Sequence, residues 1–331
     1  MRRHILKKVI TLFLGLLMVS GTQAEAQDDM TKITFFVSYI PSVQFSPIYA
    51  AIENGYFAEE KIEVEVEHSF NEADGVDRIA VNDLQFGMIS GEQVIVARAA
   101  GKPLVYVMEW FHRFPVGIVT PADSGITEPK DLVGKKVGIP GPFGASYMGF
   151  RALLSANDIE ELDLQVESIG FTAPEAICTG QVEASVVYVS NEPLTIQNNC
   201  FEVSVIYISD YVDLVSNGLV TNEETIKNNP ELVAGVTRAL HRGVQFVIDN
   251  PDEAFELSLK YVTDLPESEY ETQKQVLLNS IELWKSDHLG ATDPARWETT
   301  QEVMLEIGFI SEPLDDLEAA YTLEFLPKHD E

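Results

Sequence analysis

Segments with a strand pattern and segments with a helix pattern alternate along almost the whole chain, and this alternation limits the possible folds more than any single motif does. A strand-like run at 33–39 passes through the turn Pro41-Ser42-Val43-Gln44-Phe45-Ser46-Pro47 into an apolar helix at 48–52. Gly55-Tyr56-Phe57 and a second strand at 62–66 follow. The same spacing predicts helices at 73–81, 92–100, 146–157 and 173–178, and strands at 84–89, 105–108, 116–120, 136–139, 164–168 and 184–189. Parallel neighbours need a long crossover, and a helix supplies it, so the pattern predicts an α/β fold with largely parallel sheets. The C-terminal third reads as mostly helical. Pro230 and Pro251 stand near helix starts, and Leu232, Val233, Val236, Leu240, Val244 and Val247 recur at helical spacing.

A chain of 331 residues with 45% apolar content is long enough for two compact lobes. The first crossing between them is expected just after the strand at 116–120 and the return near Leu219-Val220-Thr221. One lobe would then comprise residues 31–120 plus 216–331 and the other 121–215, with no low-complexity tether between them. Residues 1–26 read as a cleaved export signal: Arg2, Arg3, Lys7 and Lys8 precede an uncharged, mostly apolar stretch at 9–19, and Ala24-Glu25-Ala26 offers a small-x-small cleavage site. The general secretory route is the default, with Arg2-Arg3 leaving a twin-arginine route open. An extracytoplasmic location follows. Cleavage would remove four basic residues and Glu25, taking the net charge from −31 to −34. Such a charge argues against nucleic acid or an anionic membrane surface as partner. Cys178 and Cys200 are the only cysteines; export permits a disulfide between them, and two buried thiols are equally compatible with their spacing. No clustered ligand spacing supports a metal site, and no cofactor is expected.

Pro47-Ile48-Tyr49-Ala50-Ala51 with Gly55-Tyr56-Phe57, then Asp131-Leu132-Val133-Gly134-Lys135-Lys136-Val137-Gly138-Ile139, then Asn229-Pro230-Glu231-Leu232-Val233 and Asn250-Pro251-Asp252-Glu253-Ala254 occur in that order. This set resembles the solute-binding proteins of bacterial ABC importers. Within them it is similar to the branch related to fungal thiamine-pyrimidine synthase, which also holds binding proteins for thiamine pyrimidine precursors and riboflavin. The resemblance covers nearly all of residues 31–327. It implies a periplasmic binding protein of type II: two hinged lobes with a small-molecule ligand in the cleft, presented to a membrane permease, in a chain expected to act as a monomer.

In such a fold strand exits and helix N-termini converge on the cleft. Tyr39 and Phe45 are candidates to stack on a flat heteroaromatic ring, with Ser42 and Gln44 as hydrogen-bond partners for its edge. Ser90 fits a helix cap with Gln93 at the capping-box position, and Glu92 is a candidate acceptor for an exocyclic amine. Trp110 stands at a strand exit as a candidate platform. The Gly-rich turn Pro140-Gly141-Pro142-Phe143-Gly144-Ala145-Ser146-Tyr147 leads from strand to helix, where free backbone N–H groups point outward. It matches neither the Walker nor the dinucleotide pattern. Phe143, Gly144, Ser146 and Tyr147 are candidates to hold a carbonyl, hydroxyl or phosphate, and Tyr188, Asn191 and Glu192 to supply contacts from the second lobe.

The expected ligand is a flat nitrogen heterocycle, a thiamine pyrimidine precursor or riboflavin. Arg113 and Arg151 keep a sulfonate- or nitrate-type anion open as the alternative. A pyrimidine-synthase-like enzyme is the distant alternative. The resemblance associates that enzyme with a cytoplasmic, Cys-rich, His-dependent site, from which this chain departs. No nucleophile elbow occurs either, and catalysis is not expected.

Overall fold

The computed structural model describes residues 30–328, so the export signal read at 1–26 lies outside the described residues. The first sheet is built from β1 (Thr31–Val37), β2 (Ile62–His68), β3 (Phe86–Ser90) and β4 (Leu104–Glu109). Helices α1 (Ser46–Glu53), α2 (Tyr56–Glu59), α3 (Glu72–Ala80) and α4 (Gly91–Ala99) connect them. The second sheet holds β5 (Val116–Pro121), β6 (Lys136–Ile139), β7 (Gln165–Ser168), β8 (Ala184–Tyr188) and β9 (Val203–Tyr207), with α5 (Gly144–Ser155), α6 (Ala173–Cys178) and α7 (Glu192–Asn199) between strands. β10 (Asn217–Asn222) then returns to the first sheet, giving orders β2-β1-β3-β10-β4 and β7-β6-β8-β5-β9. In each sheet one strand, β10 or β5, runs antiparallel to both neighbours, and the other pairings are parallel. The α/β expectation holds. Every residue of β3, β4 and β10 is buried, as expected for strands covered on both faces.

One sequence expectation is corrected. The strand at 116–120, expected in the first lobe, belongs to the second: β5 pairs with β8 and β9 there. The chain therefore crosses between 110 and 115, before the strand. A short apolar strand carries no mark of which sheet it will join; only its partners, which lie more than 60 residues downstream, decide that.

After β10 come α8 (Glu223–Asn228), α9 (Pro230–Asp249), α10 (Pro251–Ser258), α11 (Tyr270–Trp284) and α12 (Pro294–Glu306). α9 buries Val233, Val236, Leu240, Val244 and Val247 on one face, as its spacing predicts. It packs on α1 so closely that a Cβ at Gly243 would stand 2.2 Å from the Pro47 carbonyl oxygen. α11 and α12 both pack on the two lobes: α11 touches α7 of the second, with Asn198 donating to Thr272 at 3.0 Å, and α12 lies against α4 of the first and α5 of the second. Its Thr300 hydroxyl accepts from Val215 N at 2.9 Å, and Ser155 of α5 donates to Glu306 at 2.6 Å. None of the described helices is long and apolar enough to cross a membrane.

Cys178 and Cys200 form a disulfide, with Cα atoms 5.8 Å apart, that ties the end of α6 to the end of α7. It resolves the two options left by the sequence. Closing a loop across a separation of 22 residues restricts the unfolded chain, so replacing both cysteines by Ser is expected to cost roughly 3 kcal/mol. Urea unfolding of the double variant, compared with the oxidised protein, measures it. Equal midpoints at equal slopes would show that the bridge adds nothing.

Candidate ligand-binding site

A cavity lies between the two sheets, where the C-terminal ends of β1, β3, β6 and β8 meet the N-termini of α5 and α7. It offers about 100 Å³, several times the space that one ordered water needs. The first lobe contributes Tyr39, Gln44, Phe45, Phe70, Glu72, Met88, Phe111 and Asn217, and the second Phe143, Gly144, Ser146, Phe171, Tyr188 and Glu192, among others. None of the lining residues is Lys, Arg, His or Cys.

Of the residues singled out from sequence, Tyr39, Gln44, Phe45, Phe143, Gly144, Ser146, Tyr188 and Glu192 line this cavity together. The other six face elsewhere. Ser42 is buried and caps the turn before α1, its hydroxyl accepting from Gln44 N at 3.2 Å. Trp110 is packed in the first lobe's core, and its neighbour Phe111 reaches the cavity instead. Tyr147 turns away to donate to Glu161 at 2.8 Å. Asn191 stands before α7 and donates to Glu192 Oε1 at 3.2 Å, which holds that carboxyl in place.

The Ser90–Glu92 expectation also changes. No capping box forms: Gln93 reaches Met148, and both the backbone N and the hydroxyl of Ser90 donate to Glu72 Oε1, at 2.7 and 2.9 Å. Glu72 is thereby the first-lobe carboxyl at the cavity, and Glu92 lies fully buried behind it with neither oxygen hydrogen-bonded. Burial raises the Glu72 carboxyl above the usual range. For Glu92, burial together with the charge of Glu72 pushes the value up to about 8. Burial also lifts Glu192 to about 7, although its Oε2 accepts from Tyr188 N at 3.0 Å.

The helix α5 N-terminus faces this acidic wall. Gly144 has φ +69, a conformation favouring glycine, and a Cβ there would stand 3.3 Å from Glu72 Oε2 on the opposite lobe. A carboxylate close to the positive end of a helix is stabilised by it, and a phosphate there would meet Glu72. Two hydrogen bonds span the lobes beside the cavity, Gln44 Nε2 to Ser190 Oγ at 3.0 Å and Tyr188 Oη to Asn217 Oδ1 at 3.4 Å. Phe70 and Phe171, one from each lobe, stack at 5.0 Å and 29°. Phe70, Glu72, Phe171 and Asn217 carry no signal that the sequence reading uses, and of the neighbours Trp110 and Phe111 at the strand exit it favours Trp110 as the platform. For Glu72 a signal existed, since Asn71-Glu72 opens a helix directly after a strand.

The two arginines that kept an anion open do not reach the site. Arg113 pairs with Asp210 at 2.5 Å, and Arg151 with Glu161 at 3.4 Å.

Residues 42–254 match the family model described as NMT1/THI5 like. The chain belongs to the NMT1/THI5-like family. Within and around it, the chain is 36% identical to the riboflavin-binding protein RibY of Chloroflexus aurantiacus over 310 residues, covering 91% of this chain and 88% of RibY. It is 28% identical to the formylaminopyrimidine-binding protein of Halalkalibacterium halodurans over 308 residues, covering 88% of this chain and 91% of that one. Among solved structures, the periplasmic aliphatic sulphonate binding protein SsuA of Escherichia coli shares the fold. Its TM-score is 0.72 at 15% identity, covering 92% of this chain and 95% of SsuA. This NMT1/THI5-like chain thus has the periplasmic binding protein architecture, with a cavity at the place where its two sheets meet.

Proposed function

We propose that this protein is the extracytoplasmic substrate-binding component of an ABC importer, capturing a flat nitrogen heterocycle between its lobes and delivering it to a membrane permease as a monomer. One observation carries the reading: the cavity is lined from both lobes by aromatic rings and two carboxyls, with no cationic side chain among the lining residues. Such walls suit a neutral or weakly basic ring that offers N–H donors, and they oppose a sulfonate or nitrate, whose charge would be buried beside Glu72 and Glu192 unpaired. The relatives named for riboflavin and for formylaminopyrimidine support the same ligand class, and the higher identity to the riboflavin-binding relative favours riboflavin. The lack of Cys and His in the lining, with both cysteines bonded to each other, supports binding over catalysis.

A thermal-shift panel tests the proposal, with riboflavin, hydroxymethylpyrimidine, formylaminopyrimidine, thiamine, taurine and nitrate. A bound heterocycle at 100 times its dissociation constant should add about 2.7 kcal/mol of stability. A shift with taurine or nitrate and none with any heterocycle would reverse the ligand assignment.

A further inference from the structure

Three large apolar side chains at the cavity mouth stand partly in water: Phe70 is 50% exposed, Phe143 46% and Phe171 40%. One such residue is ordinary; three converging on one opening from two lobes form a patch that calls for an occupant. Phe70 follows β2, Phe171 follows β7, and Phe143 immediately precedes α5. The near-parallel rings of Phe70 and Phe171 have Tyr39 edge-on to both, at 5.9 and 5.6 Å. A further flat ring can extend such a stack in offset geometry. The deeper wall is different in kind. Glu72, Ser146 and Asn217 line it and are buried, at 8%, 8% and 2% exposure. Glu72 Oε1 is occupied by Ser90, and its other oxygen lies toward the α5 N-terminus.

We propose that the site reads an elongated ligand in two parts: the rim of Phe70, Phe143 and Phe171 holds a fused flat ring, and the floor of Glu72, Ser146 and Asn217 takes a neutral tail rich in hydroxyl donors. The proposal rests on the functional reading above and narrows its ligand class. A ring without a tail displaces water from the floor without replacing its hydrogen bonds, and a buried polar group left unpaired costs affinity. A tail without a ring leaves the rim in water. The two parts together select the long ligand over a single-ring pyrimidine.

The test uses the intact chain with riboflavin, lumiflavin (the same ring without the hydroxylated tail) and hydroxymethylpyrimidine, titrated into the wild type, Phe70→Ala, Phe171→Ala, Phe171→Trp and Glu72→Gln. Unfolding curves establish that each variant is folded, which the exposure of the two rim rings favours. Phe171→Ala and Phe70→Ala are expected to weaken riboflavin and lumiflavin by the same factor, at least tenfold. Glu72→Gln should weaken riboflavin at least fivefold more than lumiflavin. In Phe171→Trp the bound flavin's emission should drop below that of the wild-type complex, because an indole in contact quenches an excited flavin. A merely structural role for the rim would not produce that drop. Riboflavin bound with unchanged affinity by both Ala variants, and unchanged emission in Phe171→Trp, would overturn the two-part site and leave the functional reading standing. Tighter binding of hydroxymethylpyrimidine than of riboflavin would also overturn it. Failure of the wild type to bind either flavin or pyrimidine would sink both proposals together.

Discussion

Glu92→Gln is expected to stabilise the protein at pH 8 by on the order of 4 kcal/mol and at pH 5 by only about 1 kcal/mol. The carboxyl is wholly buried, and neither oxygen has a hydrogen-bond partner. Cations on the elements packed around it are engaged elsewhere: Arg78 of α3 with Glu67, Arg98 of α4 with Glu223, Arg151 of α5 with Glu161, and Arg296 of α12 with Glu109. The acids facing it are Glu72 and, more distantly across the buried Tyr106, Glu109. Burial first, and then the Glu72 charge, raise Glu92 to about 8. A carboxyl whose folded value lies above its unfolded value binds more protons when folded. Its contribution is therefore fully present below about pH 4.5 and is lost as pH climbs toward 8. Gln has the shape of the protonated acid and cannot ionise. Urea unfolding of both proteins at pH 5, 6.5 and 8 measures the difference, in which the repulsion due to the large net charge, common to both, cancels. A wild-type stability that does not fall relative to the variant over this range would show that Glu92 is not protonated in the fold. Glu72 and Glu192, raised by the same cause, should leave a smaller slope in the variant.

Arg296→Met is expected to cost about 3–5 kcal/mol, the effect of stranding a buried charge. Glu109 is 2% exposed and stands at the first crossing between lobes. It takes Arg296 Nη1 at 3.2 Å and His112 Nδ1 at 2.8 Å, and the same guanidinium donates to the His112 carbonyl at 2.6 Å. Removing the arginine leaves the buried Glu109 with His112 as its remaining partner, strands the His112 carbonyl and ends the ion pair to Asp213. Denaturant midpoints measure the loss. The double replacement Glu109→Met with Arg296→Met should recover part of it, since no carboxylate is then left buried, while the His112 carbonyl and Nδ1 still lack their partners. A single variant with wild-type stability would mean that the pair contributes no net energy. The double variant also separates a role in stability from a role in lobe movement, because it restores part of the first without the ion pair.

The sequence displays the frame more clearly than the site. The strand–turn–helix at 33–52, the Pro-marked starts of α9 and α10, and the Gly-rich turn into α5 are local signals, and the structure forms each of them. The strand at 116–120 reads as part of the first lobe because the partners that draw it into the second sheet are remote. For the site, the decisive quantity is which way a side chain points. Trp110 and Phe111 are equally aromatic neighbours just past β4 and both are buried in the first lobe's core, but only Phe111 also reaches the cavity. The choice between Glu72 and Glu92 is of the same kind. Both open a helix after a strand; the phase of α4 turns Glu92 inward, and α3 brings Glu72 to the cavity wall. Phe70 and Phe171 carry no pattern at all, since each stands alone in a loop and acquires meaning from the other across the interface.

The position of α12 has a mechanical consequence. Two backbone crossings alone would let the lobes swing open and also wring about the line joining them. α12, seated on α4 and α5 together and pinned near Val215 and Ser155, braces one lobe against the other beside those crossings, as α11 does through α7. Phe70 and Phe171, one on each lobe, stack directly on each other, so the alignment of the lobes sets the face that this pair offers to a flat guest.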